Sequence, residues 1–157
     1  MVIVGVDPGM SGGLARFDGT DVVCWRMPVA AERLDFARLA DVLRGADLVA
    51  VETPFAPRGR ERGAMQSWRR FGQLEALAWL VNATVLEVTP TRWQSALAGW
   101  AREPGEDTKD AARRWVRQRY GSALMLPGRC KTEHDGIADA VCIGSWAAQV
   151  VAARGQR

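Results

Sequence analysis

The chain has 157 residues, of which 48% are hydrophobic and 25% charged, with a formal net charge of +3, which is typical of one globular domain and short for two. Its three cysteines are odd in number and lack CxxC spacing, which argues against a disulfide framework or a zinc site. No signal peptide and no apolar run of about 20 residues stands out, so we expect a cytoplasmic protein without membrane contact.

The first half of the chain predicts four strands and two helices. VIVGV (2–6) has the continuous β-branched pattern of a buried strand. The glycine-rich turn DPGMSGG follows, and then a hairpin with Asp18-Gly19 at its tip. The next predicted elements are an amphipathic helix (31–44), a strand (46–52) and a long helix (65–82).

The second half predicts one more strand and three helices. The strand covers 83–90 and a short helix 91–100. Asp107 is the expected N-cap, and Gly121 the expected C-cap, of a helix that ends at Tyr120. A stretch without regular pattern leads to an alanine-rich helix from His134 onward. The order β-β-β-α-β-α-β-α-α-α predicts an α/β fold with a mixed sheet flanked by helices, in one domain over 1–157.

Arginines are concentrated in RGRERGAMQSWRR (58–70) and, with one lysine, in KDAARRWVRQR (109–119). Such clusters suit a polyanion such as nucleic acid, and the alternative for either one alone is a solvated arginine-rich surface. In the second segment the basic residues recur at i, i+4 spacing, as in a row that follows a phosphate backbone. The candidate DNA-binding residues are Arg58, Arg60, Arg62, Arg69, Arg70, Lys109, Arg113 and Arg117.

Four carboxylates are candidates for one site. Asp7 and Glu52 each end a predicted strand, and parallel neighbouring strands would bring both to the carboxyl edge of the sheet, where ligands bind in such folds. Asp135 and Asp139 are four residues apart and share one face of an otherwise apolar helix. Taken singly, Asp7 could be a turn residue, Glu52 an arginine partner and Asp135 a helix N-cap.

Four converging carboxylates would repel one another unless their pKa values rise or a cation binds. Oxygen ligands without cysteine favour Mg²⁺ or Mn²⁺ over zinc. Two such ions, about 3.5–4 Å apart, are a common device for displacement at phosphorus. The hypothesis is therefore a two-metal phosphoryl-transfer site, in which the glycines of DPGMSGG let backbone approach either a phosphate or a neighbouring strand.

Five segments in order, GVDPGMSGG, AVETP, VTPTRW, DTKDAARRW and HDGIADAVCIG, resemble the RuvC-like Holliday junction resolvases, most closely the short phage and virus types. The resemblance covers nearly the whole chain. It implies a ribonuclease H-like fold with a five-stranded mixed sheet, and a homodimer that cuts two opposed strands of a four-way DNA junction. It also implies hydrolysis with two Mg²⁺ ions, replaceable by Mn²⁺, that leaves 5′-phosphate and 3′-hydroxyl ends, and no nucleotide cofactor.

The family's catalytic carboxylates fall on Asp7, Glu52, Asp135 and Asp139, and its lysine falls on Lys109. In the bacterial housekeeping enzymes the last two ligands are three residues apart, and that position here is Gly136, so the spacing resembles the phage and mitochondrial branches. The resemblance also points to a phage genome expressed in bacterial cytoplasm. His134 could be an outer-shell base or a solvated histidine.

Three alternative functions remain to be weighed. Sugar kinases and actin-like ATPases use similar turns, but they need two duplicated domains, for which this chain is too short. A general flap and fork nuclease would share the chemistry and differ in substrate. A non-catalytic junction-binding module would not need four acids. Met65, Trp68 and Phe71 could stack on unpaired bases or form a dimer interface.

Overall fold

A five-stranded mixed sheet forms the centre of the structure, a computed structural model that describes residues 1–54, 61–128 and 130–155, with the backbone alone at 61 and 62. The strands are Val2–Asp7 (β1), Gly13–Asp18 (β2), Asp21–Arg26 (β3), Val29–Ala30 (β4), Arg33–Leu34 (β5), Leu48–Glu52 (β6) and Thr84–Val88 (β7). The sheet order is β3-β2-β1-β6-β7, and β4 and β5 form a separate small hairpin. The first three strands are antiparallel, whereas β6 is parallel to β1 and β7 to β6, which confirms the predicted mixed sheet.

Helices cover both faces of the sheet. They are Phe36–Leu43 (α1), Glu61–Leu80 (α2), Pro90–Ala96 (α3), Thr108–Tyr120 (α4) and Asp135–Gly155 (α5). One apolar cluster joins the sheet to α1 and α2, and a second joins it to α3, α4 and α5. Val4 and Val6 belong to the first cluster and Ile3 to the second. Both faces of β1 are therefore buried, which explains why its sequence is apolar up to the terminal Asp7.

The helix predicted over 31–44 is wrong in its first part. Ala31 and Glu32 have φ angles of 47° and 57° and form the turn of the β4–β5 hairpin, a backbone conformation that the residue types do not announce. The helix begins only at Phe36, because the Asp35 side chain accepts a hydrogen bond from the Arg38 backbone N–H at 3.2 Å. The predicted caps of α4, Asp107 and Gly121, are confirmed.

The last helix, α5, lies directly on β1 with almost no space between the two backbones. A Cβ atom added at Gly5 would lie 2.2 Å from the Ala140 carbonyl oxygen and 2.4 Å from the Gly144 nitrogen. Only glycine at position 5 permits this approach. The position of α5 relative to the end of β1 is therefore fixed by main-chain contact.

The expectation that no segment has the length and composition of a membrane span needs correction for α5. This 21-residue helix is long and apolar enough to cross a membrane, yet 61% of its most apolar stretch is buried inside the protein. Its apolar residues, Ile137, Val141 and Ile143 among them, pack in the core against the sheet. The apolar composition is therefore explained by a central helix in a two-sided core.

The loop before α4 is held by Glu106, whose carboxylate accepts two hydrogen bonds from Arg114 at 2.9 Å. These bonds, followed by one from the Glu103 backbone N–H, lower the pKa of Glu106 to about 2. Stability from this pair is present above about pH 4.5 and is lost as the pH falls toward 2.

We expect Glu106→Gln to lower the melting temperature at pH 7, and the difference in melting temperature between variant and wild type to narrow between pH 5 and pH 3. Thermal melts check this, with Glu87→Gln on β7 as the exposed control; a difference independent of pH would contradict it.

Candidate active site

Asp7 and Glu52 lie side by side at the carboxyl edge of the sheet. The parallel register of β1 and β6 pairs Val6 with Val51, and the two acids are the next residues of their strands. Asp7 also closes the turn that follows, because its Oδ1 accepts a hydrogen bond from the Gly9 backbone N–H at 3.1 Å. Asp7 can therefore close the turn and contribute its carboxylate to the site at the same time. Glu52 does not pair with an arginine among the described residues.

The last helix brings Asp139 to the same edge. The first turn of α5 contacts the glycine-rich turn through a bridge between Gly12 and Gly136. A Cβ atom at Gly136 would lie 2.5 Å from Gly12 backbone atoms, so no side chain fits at that position. Helix packing requires glycine at position 13, since a Cβ there would lie 2.7 Å from the Gly136 carbonyl oxygen, whereas a Cβ at Gly12 would clash with the Asp7 and Gly9 backbone of the turn itself. It also explains why position 136 carries glycine and not an acid.

The three carboxylates at this edge influence one another. Burial, with the negative charges of Asp7 and Glu52 added to it, raises the pKa of Asp139 to about 8 against the opposing effect of Lys109 and Arg113. Burial raises the pKa of Glu52 to about 7, opposed by a hydrogen bond from Trp93 and reinforced by Asp7. Burial also raises the pKa of Asp7. The protein thus holds three acids in a place that disfavours their charged forms.

Asp135 faces the same cleft, but it is paired with cations. Its carboxylate contacts Lys109 Nζ at 3.2 Å and, more closely, Arg113. The cleft has a volume of about 280 Å³. Its lining consists of Asp7, Ser11, Lys109, Glu133, His134, Asp135, Gly136 and Asp139. The structure therefore brings four of the five predicted catalytic residues to one cleft. The fifth, Glu52, interacts through its charge with two of them, Asp7 and Asp139.

The donor set fits a hard divalent cation. Carboxylate oxygens are the ligands that Mg²⁺ and Mn²⁺ prefer, and a cation would offset the repulsion and burial that raise these pKa values. Across the described ranges no three His, Cys, Asp or Glu side chains are gathered closely enough to form a ready-made metal centre. The orientations of two acids account for this, since Glu52 is bonded to Trp93 and Asp135 to Lys109 and Arg113.

His134 caps α5. Its Nδ1 lies 3.3 Å from the Ile137 backbone N–H, which donates to it, and its carbonyl accepts from Ile137 and Ala138. The N-cap predicted as the alternative role of Asp135 is therefore filled by the residue before it. Burial, with Arg26 and Lys109 nearby, lowers the pKa of His134. The imidazole lines the cleft, and its role as an outer-shell base stays a prediction.

The basic row on α4 is engaged within the protein. Arg117 makes a two-pronged ion pair with Glu133 at 2.9 and 2.6 Å, and Lys109 and Arg113 both contact Asp135. These pairs join α4 to the start of α5. Binding of DNA by this row would require phosphates to compete with carboxylates, which the sequence pattern does not reveal.

The arginines of the other cluster are only partly described. Arg58 and Arg60, and the side chain of Arg62, lie outside the described residues. Arg69 and Arg70 line a cleft of about 470 Å³ between α2, the β4–β5 hairpin and the glycine-rich turn, together with Arg33. Sequence reasoning missed Arg33, because the hairpin that carries it was predicted as helix. Phe71, a candidate for base stacking, is buried in the core, whereas Met65 and Trp68 are exposed.

Trp93 is a further site residue that sequence reasoning did not single out. Its indole Nε1 donates a hydrogen bond to Glu52 Oε2 at 2.6 Å. The signal available was its position in VTPTRW, just after the strand that neighbours β6. A tryptophan at that position is equally consistent with ordinary core packing, so the sequence does not reveal its polar contact.

No family model matches the sequence, and no curated protein matches it. Solved structures do. Thermus thermophilus RuvC aligns over 98% of this chain and 97% of its own, with 24% identity and a TM-score of 0.64. T. thermophilus RuvC in complex with Holliday junction substrate aligns over 98% of this chain and 96% of its own, with 22% identity and a TM-score of 0.65. The fowlpox virus Holliday junction resolvase aligns over 96% of this chain and 99% of its own, with 16% identity and a TM-score of 0.57. The chain therefore has the RuvC fold over nearly its whole length, as the resemblance implies.

Proposed function

We propose that the protein is a Holliday junction resolvase, an endonuclease that cuts four-way DNA junctions. The observation that carries the proposal is the coupled set Asp7, Glu52 and Asp139 at the carboxyl edge of a RuvC-type sheet. Buried acids without a cation destabilise a fold, so their presence favours a catalytic use. The similar structures include a RuvC bound to Holliday junction substrate and a viral resolvase.

In the proposed reaction the four carboxylates would hold two Mg²⁺ ions, with Mn²⁺ as a substitute. When bound, such ions lower the pKa of a water and stabilise the leaving 3′-oxygen. Asp135 would first exchange part of its contact with Lys109 and Arg113 for this role. Lys109, thereby released beside the cleft, would stabilise negative charge on the scissile phosphate. The expected products are 5′-phosphate and 3′-hydroxyl ends.

We further propose that a homodimer makes paired, symmetric nicks in the cytoplasm of a bacterial host. A four-way junction has two scissile strands, and each subunit supplies one cleft. Met65 and Trp68 are 73% and 46% exposed and lie three residues apart on α2, so they share one face of the helix that is open to a second subunit. Arg33, Arg69 and Arg70 beside the glycine-rich turn form a basic surface suited to a DNA arm.

The decisive experiment compares the wild type with Asp7→Asn on a labelled synthetic four-way junction in Mg²⁺. Asparagine can keep the Gly9 hydrogen bond, so the turn should persist while the charge is lost. We expect paired symmetric nicks with the wild type and a loss of at least about 10³-fold with the variant, since metal-ion catalysis supplies several kcal/mol. The measurement is product formation on denaturing gels, with Asp41→Asn as a surface control that cleaves normally.

Two other outcomes would redirect the proposal. Equal cleavage of flaps, forks and junctions would indicate a general branch nuclease. Tight junction binding without cleavage in Mg²⁺ or Mn²⁺ would indicate a binding module and contradict the catalytic proposal.

A further inference from the structure

Trp93 lies where it can act on Glu52 and on little else that is polar. The start of α3 follows β7 directly, and β7 is parallel to β6 with Val88 opposite Glu52. The Trp93 side chain is 1% exposed, and its only hydrogen bond among the described residues is the 2.6 Å bond to Glu52 Oε2. A buried charge-assisted hydrogen bond of this length is among the stronger polar contacts in a protein.

Both partners of this bond are held rigidly. The Trp93 ring packs edge-to-face on Trp100, with centroids 4.9 Å apart. Proline at the first position of α3 fixes the turn that carries the indole. On the other side, the Thr53 backbone N–H donates to the Val88 carbonyl at 2.8 Å, so the end of β6 is tied to β7. The indole therefore approaches Glu52 in one defined direction.

We propose that Trp93 is the positioning residue for Glu52. Its N–H holds Oε2, which fixes the carboxylate plane and leaves Oε1 for a metal ion, while its ring keeps water from the back of the carboxylate. This inference rests on the proposed metal-dependent function. Partners that hydrogen-bond a metal-ligating carboxylate orient it, and their loss typically weakens metal affinity by about 10–100-fold.

The chain offers a matched control for the test. Trp115 is also buried, at 3% exposure, and its Nε1 donates to the Ala98 carbonyl at 3.1 Å. Trp93→Phe and Trp115→Phe each remove one indole N–H and a similar volume from the same apolar cluster. Only the first removes a donor to a site carboxylate. A general packing defect would affect both variants alike.

The first readout is metal binding without DNA, as the concentration of Mn²⁺ that gives half of the maximal rise in melting temperature. The second is the Mg²⁺ concentration for half-maximal junction cleavage, measured beside the KM for DNA. We expect both metal concentrations to rise about 10–100-fold in Trp93→Phe, with the KM for DNA unchanged. Trp115→Phe should match the wild type in both metal readouts.

Failure of this inference differs from failure of the proposed function. If the wild type responds to Mn²⁺ and Trp93→Phe responds identically, the positioning role is wrong and the metal site stands. If the wild type and Asp7→Asn respond alike, the metal site itself is wrong. Equal losses of metal affinity in Trp93→Phe and Trp115→Phe would show that the effect arises from packing, and would overturn the positioning role of Trp93.

A measurement on the wild type covers the case in which Trp93→Phe does not fold. The ¹⁵N-labelled indole N–H signal of Trp93 is the one displaced by Glu52→Gln, and that of Trp115 is the one missing in Trp115→Phe. We expect Mg²⁺ to shift the Trp93 signal and leave the Trp115 signal in place. If Mg²⁺ stabilises the protein but does not shift the Trp93 signal, the proposal is overturned.

Discussion

Replacing Asp139 with asparagine should abolish DNA cleavage and, at the same time, stabilise the metal-free protein at pH 8. Burial and the charges of Asp7 and Glu52 raise the pKa of Asp139 to about 8, from an ordinary value of 3.8. Holding this group ionised in the folded state is therefore unfavourable. Asparagine removes the charge and keeps the size, so the cost disappears together with the ligand.

The sign of the pH dependence follows from proton binding. Between about pH 4 and pH 8 the folded protein binds the Asp139 proton more strongly than the unfolded chain, so stability falls as the pH rises. Each unit of pKa shift corresponds to about 1.4 kcal/mol. We expect the variant to exceed the wild type at pH 8 by at least about 2 kcal/mol in free energy of unfolding, and to show little advantage at pH 4.

Urea unfolding in EDTA at pH 4 and pH 8 measures this difference, with the exposed Asp41→Asn on α1 as the control. Mg²⁺ or Mn²⁺ should raise the stability of the wild type at pH 8 and leave Asp139→Asn unchanged. A variant that is no more stable than the wild type at pH 8 would show that the carboxylate is not strained in the metal-free protein. Cleavage by the variant at the wild-type rate would remove Asp139 from the site.

Gly5→Ala should be the most destabilising single-methyl change in the sheet. The added Cβ would lie 2.2 Å from the Ala140 carbonyl oxygen and 2.4 Å from the Gly144 nitrogen. Both are backbone atoms of α5, which cannot rotate aside as a side chain can. The helix must move away from β1, and we expect a loss of about 3 kcal/mol or more, with reduced cleavage because Asp139 moves with the helix.

Gly72→Ala provides the opposite control. A Cβ at Gly72 would meet nothing within 4 Å on the exposed side of α2, so alanine should stabilise the helix by about 0.5–1 kcal/mol. Chemical denaturation of the three proteins at one pH measures both effects. A Gly5→Ala protein within about 0.5 kcal/mol of the wild type would mean that the strand and helix backbones are not in the contact described.

Most of the sheet could be predicted because its strands carry strong local signals. β1 is β-branched from Val2 to Val6 except at Gly5, and Asp18-Gly19 marks the first hairpin. The β4–β5 hairpin could not be predicted, since its turn places Ala31 and Glu32 at positive φ without the glycine or asparagine that usually signals such a turn. Tertiary contacts determine that conformation, and they are not visible in a local sequence window.

The acids of the site could be predicted, but their partners could not. Asp7 and Glu52 end strands, and parallel pairing brings such ends together, which is a consequence of topology alone. The contact from Trp93 to Glu52 and the pairing of Asp135 with Lys109 depend on how α3 and α4 pack. These contacts join residues 41 and 26 positions apart, and no spacing rule connects them.

The close seating of α5 on β1 has a consequence for how the protein is made. Asp7 leaves the ribosome well before Asp139, which belongs to the helix that emerges after all the described strands. Until that helix docks through Gly5 and Gly136, the growing chain holds only part of its acidic set. A nascent or prematurely terminated chain without α5 therefore lacks Asp135 and Asp139, and the full set of four carboxylates is assembled only after that helix has been synthesised.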